Sequence, residues 1–65
     1  MVITSAEGII TISGLDDNEL CEVYSLQGAK LSKSTAVNGF AQLNAMGERI
    51  VVVRIGSQNL KMVVN

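Results

Sequence analysis

The C-terminal stretch Arg49-Ile-Val-Val-Val-Arg-Ile-Gly-Ser-Gln-Asn-Leu-Lys-Met-Val-Val-Asn65 decides the fold of this chain. A β-branched run over residues 49–55 precedes a polar turn over residues 56–59 and a second apolar run over residues 60–64. Two such runs joined by a short glycine-containing turn are typical of a β-hairpin. Successive side chains of a strand point to opposite faces. The face that we expect in the core carries Val51, Val53, Ile55, Leu60, Met62 and Val64.

The opposite face of this hairpin is only partly apolar. Its side chains are Ile50, Val52, Arg54, Lys61 and Val63. A cluster of exposed apolar side chains indicates a contact surface for another molecule. The simpler alternative is that side chains of a companion strand cover this face, and the sequence leaves both interpretations open.

Further short strands and turns follow one another along the rest of the chain. Residues 9–12, 20–26, 29–35 and 40–43 have the composition of strands, with Ile10, Ile12, Cys21 and Val23 as core residues. Asn38-Gly39 is typical of a two-residue type I′ hairpin turn. The turns between the strands carry Gly28, Asn38, Gly39, Gly47 and Gly56. Six or seven short antiparallel strands without helical periodicity predict one all-β domain over residues 1–65, a small sandwich or barrel.

Chain length limits the stability of this domain. A chain of 65 residues lies near the lower limit for an independent hydrophobic core. One cysteine excludes an internal disulfide, and the absence of histidine makes a structural zinc site improbable. The remaining sources of stability are a well-packed core, association with further copies of the chain, or a neighbouring domain.

Composition also restricts the functions that we expect. Five basic and six acidic residues give a net charge of −1 and no basic stripe that would bind a phosphate backbone. Only Tyr24 and Phe40 are aromatic, too few for a platform that stacks single-stranded bases. Apolar runs such as residues 50–53 are far shorter than the roughly 20 residues of a transmembrane helix. We therefore expect no nucleic-acid partner and no transmembrane segment.

Few residues are candidates for chemistry. Cys21 has no histidine to activate it, and its alternation with Val23 is typical of a small core residue. The acidic run at residues 16–19 lacks the alternating oxygen ligands and central glycine of a calcium loop, which favours a solvated turn. The glycines are spread one per turn and form no phosphate-binding loop. We expect no catalytic, cofactor-binding or metal-binding residue and no enzyme activity.

Four segments occur in an informative order: Ile10-Thr-Ile-Ser-Gly-Leu15, Glu22-Val-Tyr-Ser-Leu-Gln-Gly28, Val53-Arg-Ile-Gly56 and Lys61-Met-Val-Val64. This order resembles the C-terminal sorting domain of cargo proteins of the type IX secretion system (Por secretion system) in Bacteroidetes. Members of that family show an early strand, an aromatic-bearing strand that ends in glycine, a glycine before a Val-x-Ile strand, and a closing Lys-x-Val-Val. The resemblance extends over residues 9–65.

Individual positions match the family pattern to different extents. Gly28 matches the glycine at the turn after the aromatic-bearing strand, and Gly47 approximates the glycine before the penultimate strand. Residues 61–64 match the terminal motif that the family presents to the export machinery. The chain departs from the pattern in having no Asn-Pro, in having Val51 near the position of a usual tyrosine, and in ending on Asn65 instead of a basic residue.

The resemblance implies an Ig-like β-sandwich without catalysis of its own. It implies the C-terminal domain of a larger exported protein, with a signal peptide upstream and a final location that is secreted or on the outer-membrane cell surface. Its partners would be the secretion machinery at the outer membrane and the attached upstream cargo domain. The expected recognition residues are Lys61, Met62, Val63, Val64, Asn65, Ile50, Val52 and Arg54.

A second function is also compatible with the sequence. In this alternative the chain is a structural accessory module that packs on a neighbouring domain of a surface protein or self-associates as a homo-oligomer. The first function, sorting, requires that a partner bind an edge strand or a surface of the domain. The second function, that of an accessory module, requires that an apolar sheet face pack against another domain or copy.

Overall fold

Seven β-strands and no helix make up the structure, a computed structural model that describes all residues 1–65. The strands are β1 (Val2–Ala6), β2 (Ile9–Ser13), β3 (Leu20–Tyr24), β4 (Lys30–Thr35), β5 (Phe40–Asn44), β6 (Ile50–Ile55) and β7 (Gln58–Val63). All neighbouring strands pair antiparallel. The all-β prediction is confirmed.

The strands form two sheets that pack as a sandwich. One sheet has the order β1-β2-β5 and the other the order β4-β3-β6-β7. Constant-type immunoglobulin domains place their fourth strand beside the fifth. Here β4 pairs instead with β3 in the other sheet, so that β4 and β5 become edge strands on the same side of the sandwich. The prediction of a small Ig-like sandwich is confirmed.

The core lies between the two sheets and contains thirteen buried apolar residues. Val23 and Val53 pair directly on β3 and β6 and are both inaccessible to solvent. Ile10 and Ile12 on β2 are also fully buried and come from the opposite sheet. The predicted alternation of residues 51, 53 and 55 is therefore confirmed, since all three side chains are buried.

The core prediction is wrong for Leu60, which is 36% exposed. Met62 on the same face is half-buried, and Val64 is buried. The reason is the position of β7, the outermost strand of a four-stranded sheet that faces a sheet of only three strands. Side-chain alternation correctly gives the face of each residue, but it does not show how much of that face the opposite sheet covers.

The strand β1 is absent from the sequence-based prediction. It pairs with β2 through a two-residue turn at Glu7 and Gly8, whose φ angles are +52° and +78°. Its inward side chains are Ile3 and Ser5, and its outward ones include Val2. A strand with both apolar and polar residues on each face gives no alternating signal.

The turn at Asn38-Gly39 has the predicted local form but a different place in the fold. Both residues have positive φ, and the amides of Val37 and Phe40 donate to each other's carbonyl groups at 2.9 and 3.0 Å. This turn does not join paired strands, because β4 and β5 lie in different sheets. The Gly39 carbonyl accepts instead from the Leu15 amide (3.1 Å), which ties the crossover to the loop after β2.

Two strand boundaries also differ from the prediction. The strand β3 ends at Tyr24 because the amide and hydroxyl of Ser25 bond to Ala29 across the next turn. The terminal hairpin closes in two residues, Gly56 and Ser57, and not in four. Only the glycine has positive φ there, as in a type II′ turn. The predicted turn residues Gly28, Asn38, Gly39, Gly47 and Gly56 have φ of +93°, +54°, +80°, +81° and +59°.

Truncation of Val53 to alanine tests the importance of the pairing between β3 and β6. The change removes two buried methyl groups and leaves a cavity, so we expect the free energy of unfolding to fall by about 2 kcal/mol. Val37→Ala is the matched control, since Val37 is 68% exposed. Its effect should stay within about 0.5 kcal/mol. Chemical denaturation of both variants measures the difference, and equal losses would contradict this description of the core.

Candidate recognition surface

The last strand, β7, is a free edge of the four-stranded sheet. Antiparallel partners alternate between hydrogen-bonded and non-hydrogen-bonded pairs. The Val64 amide donates to the Arg49 carbonyl at 2.7 Å, which sets this alternation along the hairpin. The backbone groups of Asn59, Lys61 and Val63 therefore point away from β6, toward the open edge. An added strand would find its hydrogen-bond partners there.

The outer face of the terminal hairpin collects most of the predicted recognition residues. The register places Ile50 opposite Val63 and Val52 opposite Lys61. Ile50 and Val63 are 40% and 64% exposed, and Lys61 is also exposed. No other layer of the structure lies over this face. The face is therefore an open surface, and neighbouring side chains cover only Val52 in part.

The remaining predicted recognition residues point elsewhere. Met62 packs against the core, and Val64 is buried within it. Asn65 is held at both backbone groups: its amide donates to Ser5 Oγ (3.0 Å) and its carbonyl accepts from the Gly8 amide (2.9 Å). The structure thus separates the predicted set into an outward group on the hairpin face and a chain end that is docked between the two sheets.

A charged cluster lies beside this hairpin and has Glu22 at its centre. The carboxylate of Glu22 lies 2.7 Å from Lys30 Nζ and accepts a hydrogen bond from the Tyr24 hydroxyl at 3.1 Å. Arg54 and Lys33 are its cross-strand partners on the two sides. These long neighbours cover Glu22 on the outer face of the sheet, so that it is only 9% exposed. The carboxylate therefore links β3 to β4 through Lys30, whereas Arg54 on β6 acts on it through its charge.

The cluster changes the acidity of two of its members. The hydrogen bond from Lys30 is the main cause that lowers the pKa of Glu22; the Tyr24 hydroxyl and the charges of Lys30 and Arg54 act in the same direction, against partial burial. The same hydrogen bond raises the pKa of Lys30 above its ordinary value. Both groups are therefore held in their ionised forms at neutral pH.

The fold also gathers basic residues that lie far apart in the sequence. Lys30, Lys33, Arg54 and Lys61, four of the five basic residues, occupy the outer face of the four-stranded sheet. Glu22 is the one acidic side chain among them. No basic stripe is visible in the sequence, because these residues come from three different strands. Only the strand order β4-β3-β6-β7 makes them neighbours.

The other candidates for chemistry have structural positions. Cys21 is fully buried, and burial, with a smaller effect of the Glu19 charge, raises the pKa of its thiol. In the acidic loop, Glu19 Oε1 accepts a hydrogen bond from the Asp16 amide at 3.3 Å. No three histidine, cysteine, aspartate or glutamate side chains form a group that could hold a metal ion. The structure also has no helix of the length and apolarity needed to cross a membrane.

The outer face of the three-stranded sheet differs sharply from the basic face. It consists of nine side chains, none of them charged: Val2, Thr4, Ala6, Ile9, Thr11, Ser13, Phe40, Gln42 and Asn44. A shallow groove of about 520 Å³ runs across it. Phe40 is 57% exposed and Val2 is 60% exposed. This face is not apparent from the sequence, because β1 was not predicted.

Comparison of the chain with protein-family models, with curated proteins and with solved structures finds no match.

Replacement of Glu22 by glutamine tests the role of the charged cluster. A carboxylate with a lowered pKa stabilises the folded state fully above the pKa of the unfolded state, about 4.3, and loses this effect as the pH falls through the folded-state value. Glu22→Gln should therefore unfold more easily than the wild type at pH 7, and this difference should shrink as the pH falls below about 4. Thermal melts across this pH range measure it.

Glu48→Gln is the matched control, because Glu48 is exposed and forms no ion pair. It should melt like the wild type at every pH. A constant difference between Glu22→Gln and the wild type at all pH values would contradict an ionic role for Glu22.

Proposed function

We propose that the chain is a non-catalytic C-terminal sorting domain, which directs an attached cargo protein through the type IX secretion system to the cell surface. The partner in this proposal is the secretion machinery at the outer membrane. Lys61 and its neighbours on the terminal hairpin are the recognition residues. The protein itself is then secreted or displayed on the outer-membrane surface, with the cargo domain upstream.

The observation that carries this proposal is the position of β7 as a free edge strand. The backbone groups of Asn59, Lys61 and Val63 point toward solvent, and the exposed side chains of Lys61 and Val63 stand beside them. Partners that add a strand to a sheet obtain affinity from the backbone and specificity from alternate side chains. The segment that resembles the family's terminal motif therefore offers both kinds of contact.

The docked chain end supports the same proposal. The hydrogen bonds of Asn65 to Ser5 and Gly8, together with the burial of Val64, hold the last strand in one conformation. A segment that is ordered before binding loses less conformational entropy when a partner orders it further. The secretion machinery would then bind this segment as part of the surface of a folded domain.

A second candidate function is a structural accessory module that packs on a neighbouring domain or on another copy of the chain. The uncharged outer face of β1, β2 and β5 favours it. Burial of this face requires no desolvation of ionised groups, which is the costly part of covering a charged surface. The two functions use opposite sheets, so that variants of one surface leave the other unchanged.

A paired substitution on the edge strand tests the sorting function. The chain is fused to a periplasmic reporter in a Bacteroidetes host that has the type IX apparatus, and surface-exposed reporter is measured. Lys61→Gln with Val63→Asn removes the central cation and an exposed apolar contact from β7. We expect surface delivery to fall roughly tenfold, which corresponds to a loss of about 1.4 kcal/mol in binding.

The matched control is Lys33→Gln with Val37→Asn. It makes the same two chemical changes at exposed positions on and after the other edge of the sheet, β4. This variant should be delivered like the wild type, and both variants should have similar melting temperatures. Normal delivery of the β7 variant, or equal loss in both variants, would reject β7 as the recognition surface.

A further inference from the structure

The four edge strands of the sandwich are protected to different extents. Proteins commonly prevent unwanted strand pairing by placing a lysine on an edge or by covering the edge. Lys61 stands at the middle of β7, where it repels a second β7 but not an uncharged or acidic strand, and β4 carries Lys30 and Lys33. The strand β5 is covered at both ends: the backbone of Phe40 bonds to Val37, and the Asn44 carbonyl accepts from Ser32 Oγ at 2.8 Å.

The strand β1 has no edge lysine, and the one hydrogen bond that the chain end makes to it goes to the Ser5 hydroxyl and leaves its backbone groups free. Its sequence, Val2-Ile-Thr-Ser-Ala6, contains neither a charge nor a proline, and no bulge interrupts its pairing with β2. The turn at residues 7–8 makes Ala6, Thr4 and Val2 the residues that bond to β2. The amide and carbonyl groups of Ile3 and Ser5 therefore face outward from the edge, and they take part in no turn or loop hydrogen bond.

We propose that β1 pairs antiparallel with β1 of a second copy of this chain, about a two-fold axis at Thr4. In this register Ile3 of each copy lies opposite Ser5 of the other. Those are the residues with free backbone groups, so that the two strands exchange four hydrogen bonds. The two three-stranded sheets become one six-stranded sheet.

The side chains in this register are compatible with one another. Thr4 lies opposite itself in a non-hydrogen-bonded pair, where side chains are closest, and threonine pairs are favourable across antiparallel strands. Val2 lies opposite Ala6, and no charged side chain of β1, β2 or β5 is brought near another. Pairing of β7 with itself about Lys61 would instead place two like charges opposite each other. A second copy therefore fits β1 better than it fits β7.

The strand pair also extends the uncharged outer face across both copies. Strand addition at an edge is a known mode by which domains bind a further chain. The inference does not rest on the sorting function, because β1 and β7 belong to different sheets. It gives the second candidate function a defined interface.

Sedimentation velocity of the folded chain over a range of concentrations tests the proposal. The wild type should shift reversibly from monomer toward dimer as its concentration rises. Thr4→Lys places two like charges opposite each other at the axis, so this variant should remain monomeric. A mixture of Thr4→Lys with Thr4→Glu places opposite charges there, and the mixture should regain dimers that neither variant forms alone.

Gln42→Lys is the matched control. It adds the same charge to the same row of the same face, but on β5, two strands from the proposed axis. This variant should dimerise like the wild type, and circular dichroism should show all variants folded. Loss of the dimer in Gln42→Lys would show that whole faces pack together, which would overturn edge pairing.

Three further results would also overturn the proposal: a wild type that stays monomeric up to millimolar concentration, a Thr4→Lys variant that still dimerises, and a mixture of charge variants that does not. Export measurements on the β7 variants remain informative in each case, since they concern the other sheet.

Discussion

The pairing of β3 with β6 is the constraint on which the rest of the structure depends. It joins segments about thirty residues apart and places Val23 beside Val53 at the centre of the core. Such a long-range pairing is entropically costly to form. Once it exists, β3 and β6 each pair on their other side with the strand that follows them in the chain, β4 beside β3 and β7 beside β6. The four-stranded sheet and both of its edges follow from this single contact.

The same pairing creates the charged cluster on the outer face. Glu22 lies opposite Arg54 because Val23 lies opposite Val53, and the bulge after Val23 brings Lys30 against the carboxylate. The core contact between Val23 and Val53 and the position of Glu22 thus depend on the same strand register. A shift by one residue would bury the polar side chains and expose the valines, so the two faces specify the same alignment.

The two sheets present surfaces of different chemistry to their surroundings. The outer face of the four-stranded sheet carries four basic residues around one acid, whereas the outer face of the three-stranded sheet carries no charge. The edge lysines also differ between the sheets: both edges of the four-stranded sheet, β4 and β7, carry lysine, whereas β1 carries none. The two proposed functions therefore use surfaces of different chemistry on opposite sheets.

The sequence by itself determined the all-β class, the inward faces of β2, β3 and β6, and the terminal hairpin, because alternation and turn chemistry are local properties. It missed β1, whose two faces both mix apolar and polar residues, and it overestimated the burial of Leu60. Tertiary structure alone decided that β4 joins β3 across the sandwich from β5, and that Lys30, Lys33, Arg54 and Lys61 share a face. Strand order sets these neighbours, and strand order depends on long-range contacts that no short stretch of sequence encodes.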